Sequence, residues 1–201
     1  MSKFLDYICI WRNWDDKERS NAKVVMGLAV AVFSLFILIS SVSYLFHWQQ
    51  DMSLLRDPSM MDSTTQVGNA GGKMGYRLGH LLICDLFGLG SFALLVILVA
   101  VSVRLISNRW HFSLFKTTII ALSGTLVASL LLAFAGNLAG IPDVFGGGLG
   151  GEFGKQVMIW SRNLFGNIIS GALVLLLLAC WLFFCSPRFT DWIYNLGRRK
   201  A

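Results

Sequence analysis

Charged side chains are missing from four long stretches of this 201-residue chain, residues 24–50, 86–103, 117–142 and 163–187. Their absence excludes a soluble globule, because 14% charged and 55% apolar residues leave too little polar surface to coat one. Strand-like alternation is also absent from all four runs, which argues against a barrel. Cysteine is scarce: Cys9, Cys84, Cys180 and Cys185 fall in the N-terminal preface or inside spans, and neither outer loop holds one. No disulfide framework follows, and these residues read as small apolar packing groups.

Catalytic constellations are equally missing. Lys73 follows glycines, but Val67 stands where a phosphate loop needs its first glycine, and Met74 where Ser or Thr would bind magnesium. His47, His80 and His111 lack the spacing of a helical metal pair. The sequence therefore implies no catalytic residue, no bound metal and no cofactor, and an enzyme is not expected.

What is present is a membrane protein. About 20 apolar residues at ~1.5 Å rise cover a hydrocarbon core of ~30 Å, and in lipid every backbone polar group must be paired internally, so runs this long are helices. The expected fold class is all-α: a polytopic four-transmembrane-helix bundle with spans near 24–47, 81–105, 115–140 and 162–186 inside a membrane domain at 24–187. Residues 1–23 form a cytoplasmic segment, and residues 188–201 a cytoplasmic tail or the start of a linker.

Sidedness follows from Lys and Arg. Lys3, Arg12, Lys17, Arg19, Lys23, Arg104, Arg109, Lys116, Arg188, Arg198, Arg199 and Lys200 flank one side; Arg56, Lys73, Arg77, Lys155 and Arg162 flank the other. Twelve against five predicts that both termini and the turn near Trp110 are cytoplasmic. Retention of cationic loops and anionic headgroups account for the net charge of +6, so direct DNA binding by this chain is not called for. The long first run without an obvious cleavage site reads as a retained signal anchor. Trp48, Trp160 and Trp110 lie near the expected surfaces. Phe4, Ile8 and Trp11, and again Phe189, Trp192, Ile193 and Leu196, recur at helical spacing, as a helix on inner headgroups or a docking face requires.

An internal repeat is visible. At an offset of 75, residues 71–79 (GGKMGYRLG) align with residues 146–154 (GGGLGGEFG), and three residues of slack bring Leu86-Phe87-Gly88 onto Leu164-Phe165-Gly166. Both copies precede an outside-to-inside span, so the bundle reads as two helical hairpins, spans 1–2 and 3–4. Within the copies Gly71, Gly75 and Gly79, and Gly146, Gly150 and Gly154, are four apart, which on a helix makes a smooth stripe for close packing. Gly136 and Gly140 repeat the spacing, and the alternative for residues 146–151 is a flexible turn. Asp85 is the one carboxylate inside a hydrophobic run. An Asp at mid-membrane costs ~3 kcal/mol, so it should face the bundle or a water-filled crevice, with outer-loop water, His80 or Arg162 in reach, serving assembly or ion transport.

This layout resembles the four-transmembrane (4TM) region of FtsK/SpoIIIE-type DNA translocases: a charged preface, one span, an outer loop, a glycine-rich entry at Gly71-Gly72-Lys73-Met74-Gly75 with Asp85 nearby, a tight inner turn, and a second entry at Gly147-Gly148-Leu149-Gly150. The resemblance covers residues 21–187. That family continues into a hexameric ATPase motor that pumps DNA, whereas the motor is not in residues 1–201. The resemblance therefore implies the N-terminal portion of a longer protein or a freestanding anchor, with Arg198-Arg199-Lys200 beginning a linker. It further implies anchoring in the bacterial inner membrane at the division septum, homo-oligomers, contact with membrane lipids and other cell-division proteins, and DNA reached only through an attached motor. The competing reading is a small transporter or channel with Asp85 as coupling carboxylate.

Overall fold

The structure, a computed structural model, describes residues 15–52, 66–107 and 113–185. The segments around Trp11 and Trp192, the turn near Trp110, the tail Arg198-Arg199-Lys200 and most of the first outer loop lie outside the described residues. Among the described residues all regular structure is helical.

Helix α1 (Asp16–Asp51) starts at a capping box. The Asp15 carboxylate accepts the Asp16 N–H and the Glu18 carboxylate accepts the Asp15 N–H at 3.0 Å, so orphan donors at the helix start are satisfied by acidic groups that also suit the helix dipole. Its 36 residues extend ~54 Å, well beyond the hydrocarbon core.

The second membrane segment differs from the continuous helix expected at 81–105. Helix α2 (Gly72–His80) loosens into a π-turn (Leu81–Leu86), where the Phe87 N–H reaches the Leu82 carbonyl at 3.2 Å, and a 3₁₀ turn (Gly88–Ser91) then restarts the chain as α3 (Phe92–Ile106). The apolar stretch able to cross a membrane is Gly88–Ile106, 19 residues. The break has a backbone cause: Gly88 has φ 62°, a left-handed conformation that glycine reaches without a Cβ penalty.

Helix α4 (Leu114–Leu138) is capped by Ser113, whose hydroxyl accepts the Lys116 N–H. Helix α5 (Gly151–Cys185) is likewise interrupted, at Gly166 with φ 78° and ψ 172°. The span expected at 162–186 is thus the part of α5 after Gly166, and residues 151–165 form a separate arm. Leu86-Phe87-Gly88 and Leu164-Phe165-Gly166, aligned by the repeat, are the two break points. Each hairpin is an arm, a glycine break and a span.

Helix α1 packs on α2 and α3, α4 packs on α5, and α3 beside α4 joins the hairpins. Large side chains such as Val32, Ile168 and Phe184 face outward, where lipid is the solvent, while Ser34, Ser102, Thr125, Ser129 and Ser170 are buried between helices. Without a hydrophobic force between helices in lipid, small residues and interhelical hydrogen bonds supply cohesion. The Ser102 hydroxyl donates to the Gly27 carbonyl at 2.8 Å and Trp181 Nε1 to the Ser123 hydroxyl at 3.0 Å. The larger buried side chains, Tyr44, Tyr76, Ile83 and Cys84, cluster at the glycine-rich end of the bundle.

Candidate functional site

The glycine-rich end is where the two copies lock together. Gly71, Gly75 and Gly79 lie on one side of α2 against Ser40 and Tyr44 of α1. A Cβ at Gly75 would sit 2.6 Å from the Ser40 hydroxyl, one at Gly79 would sit 2.7 Å from the Tyr44 Cβ, and one at Gly71 would overlap Ser40 outright. In the second copy Gly150 and Gly154 do the same against α4: a Cβ at Gly154 would lie 2.6 Å from the Ser129 carbonyl oxygen, and one at Gly150 would overlap that oxygen. Ser40 and Ser129 occupy equivalent places, each fully buried under its stripe.

Gly146 is placed differently. It precedes α5 in a turn with φ 87°, and a Cβ there would be 2.9 Å from Cys84 Sγ. The dense run is therefore turn at its start and packing face from Gly150 onward. Gly136 has only ordinary contacts at 3.5 Å and Gly140 faces open space, so the spacing they share with the stripes does not make a third one.

Between the copies, backbone meets backbone. The Leu89 N–H donates to the Leu149 carbonyl at 3.0 Å, and Cβ atoms on Gly88, Gly147 or Gly151 would overlap main-chain atoms of the opposite copy. Within the second hairpin the Ser129 hydroxyl donates to the Gly150 carbonyl, and across the hairpins the Tyr44 hydroxyl donates to the Phe145 carbonyl at 3.0 Å. Phe87 stacks edge-on to Phe153 with ring centroids 5.2 Å apart. Tyr44→Phe keeps the ring and removes one interhairpin hydrogen bond, leaving a carbonyl unpaired, so it is expected to lower stability by about 1–2 kcal/mol in thermal unfolding of the detergent-solubilised protein.

Residues 66–71 are laced onto the last turns of α1. Asn69 is buried; its Nδ2 donates to the Ser40 carbonyl and its Oδ1 accepts the Gly71 N–H, both at 2.9 Å. The Gly68 N–H donates to Asp51 and the Ala70 N–H to the Ser43 hydroxyl, each at 2.9 Å.

Asp85 lies on the π-turn, before the span rather than within it. The wider turn brings it back over His80, five residues earlier, with Nδ1 to Oδ2 at 3.2 Å, and its side chain is 51% exposed. Arg162 lines a different cleft beside Pro142 and Lys155. His80, Cys84 and Asp85 present donor atoms within 4.8 Å of one another. A metal would require the Cys84 thiolate, yet burial pushes that thiol up to about 11, reinforced by the charge of Asp85. The cluster fits a His80–Asp85 polar contact over a neutral thiol better than a metal centre.

Tyr44, Ser40, Ser129 and Asn69 escape sequence reasoning. The available signal was a serine inside an apolar run, opposite glycines four residues apart.

Residues 20–193 match the family described as the 4TM region of DNA translocase FtsK/SpoIIIE. No curated protein and no solved structure matches the chain.

Proposed function

Because the chain belongs to the FtsK/SpoIIIE 4TM family, the membrane region of such translocases, we propose that it is the anchor and assembly module of an FtsK-like DNA translocase in cell division and chromosome segregation, itself non-catalytic. It is a multi-pass membrane protein. In this reading both termini face the cytoplasm of a bacterial cell, the module concentrates at the septum, self-associates and contacts other division proteins, and touches DNA only through an attached motor. The observation that carries it is the glycine lock: both copies use their most distinctive residues to fasten helices together rather than to present chemistry.

The experiment is to follow a fluorescent fusion of the full-length protein in dividing cells of its source. Septal accumulation that depends on residues 20–193 supports the reading; uniform membrane fluorescence, or septal foci that persist without these residues, refutes it. The transporter alternative is separable. Asp85 is half-exposed, paired with His80, and outside the span, so Asp85→Asn is expected to change no proton or cation flux in proteoliposomes and to affect at most stability. A flux that vanishes in Asp85→Asn while the fold persists would restore the transporter.

A further inference from the structure

At the other end of the bundle, the first turns of α1 and the last turn of α3 form a cleft of about 480 Å³ lined by Asp16, Arg19, Lys23, Arg104, Leu105 and Ile106. That is within the ~300–1,000 Å³ typical of small-molecule sites. Among the described residues, three cations and one carboxylate line it. Its floor is fixed: a Cβ at Gly27 would lie 2.7 Å from the Ile106 side chain and 3.1 Å from its backbone nitrogen, and the Ser102–Gly27 hydrogen bond ties the helices one turn deeper.

Height and polarity say what belongs there. Lys23 is the last charge before the uncharged run 24–50, and Arg104 directly follows the run 86–103, so the cations stand at the edge of the hydrocarbon. The apolar Val24, Leu105 and Ile106 line the cleft beside these cations, and Met26 and Leu28 farther along α1 are exposed. Cations beside apolar side chains at the edge of the hydrocarbon match an amphiphile with an anionic head. We infer that this cleft binds the phosphodiester headgroup of an anionic phospholipid, with Arg19, Lys23 and Arg104 on the phosphate and the acyl chains running down α1. Guanidinium groups pair with phosphate oxygens in bidentate fashion, and clustered cations at a membrane surface each strengthen the attraction.

The test uses the purified chain in a neutral detergent, titrated with dioleoyl phosphatidylglycerol, dioleoyl phosphatidylcholine or inorganic phosphate. Readouts are the unfolding midpoint and the lipid retained in native mass spectrometry. Phosphatidylglycerol is expected to raise the midpoint and to stay bound at one molecule per chain, while phosphatidylcholine and inorganic phosphate do neither. Lys23→Gln combined with Arg104→Gln should weaken phosphatidylglycerol at least tenfold; Lys116→Gln, which removes one charge outside the cleft as Lys23→Gln removes one inside it, should leave it as in wild type. Should the double variant fail to fold, Lys23→Gln alone alters an exposed side chain and is expected to weaken binding about fivefold. Unchanged affinity in the cleft variants, an equal loss in Lys116→Gln, or stabilisation by inorganic phosphate alone would overturn the assignment, the last by identifying a soluble anion as ligand.

Discussion

Gly150→Val should prevent the second hairpin from closing: the variant is expected to unfold more than 10 °C below the wild-type midpoint in detergent or to run as an aggregate. The new Cβ would overlap the Ser129 carbonyl oxygen and lie 2.8 Å from both the nitrogen and the Cβ of Ala133. These are main-chain and near-main-chain atoms of α4, so no rotamer change relieves the clash. Overpacking a core typically costs ~1–3 kcal/mol. Here the obstacle is helix backbone and the same segment carries the Leu149–Leu89 and Gly150–Ser129 hydrogen bonds, so a loss at or above the top of that range is expected. Against a total stability of ~5–15 kcal/mol this decides folding. Gly136→Ala is the control. Its Cβ would meet only ordinary contacts, and alanine favours a helix by ~1 kcal/mol, so the midpoint should stay or rise. Equal midpoints for Gly150→Val and wild type would mean that the close approach of Gly150 to α4 does not hold the second hairpin together.

Asn69→Leu is expected to release residues 66–71 from α1. The side chain satisfies the Ser40 carbonyl and the Gly71 N–H at once, and its Oδ1 sits 2.7 Å from where a Cβ on Gly75 would stand. Leucine deprives both backbone groups of their buried partner, at ~1–3 kcal/mol each, and is too bulky beside the glycine stripe. Proteolysis of the wild-type protein and the variant should show faster cleavage within residues 53–71 for Asn69→Leu, with the four spans still protected. Cleavage at the wild-type rate would show that the segment is held by other contacts.

The four spans were legible because hydrophobic length is a one-dimensional property: no charge interrupts residues 24–50, 86–103, 117–142 or 163–187. The breaks at Gly88 and Gly166 were not, since Leu81–Leu86 is apolar apart from Asp85 and hydropathy does not register a change of backbone direction. Their signature was nevertheless there as the shared Leu-Phe-Gly of the two copies. The stripe at Gly71, Gly75 and Gly79 could be anticipated from spacing, but its partners Ser40 and Tyr44 could not, because approach between helices is set by the whole bundle. Gly146 shows the limit of spacing as a guide: four residues before Gly150, it lies where the chain is not yet a helix.

The unequal lengths of the helices bear on the thickness of the bilayer this protein tolerates. The Gly88–Ile106 span is ~28 Å long, close to a typical hydrocarbon core, while the uncharged run of α1 is ~40 Å. The surplus is sheathed: from Ser40 to Asp51 one side of α1 is covered by α2 and by residues 66–71, with Ser40, Ser41, Ser43, Tyr44 and Asp51 buried there. Helix α1 therefore meets hydrophobic mismatch through a collar of protein instead of by tilting alone, and the apolar girdle of the whole bundle is set by its two short spans. Such a girdle matches a bilayer of about ordinary thickness, and longer lipid chains would leave the two short spans, not α1, mismatched.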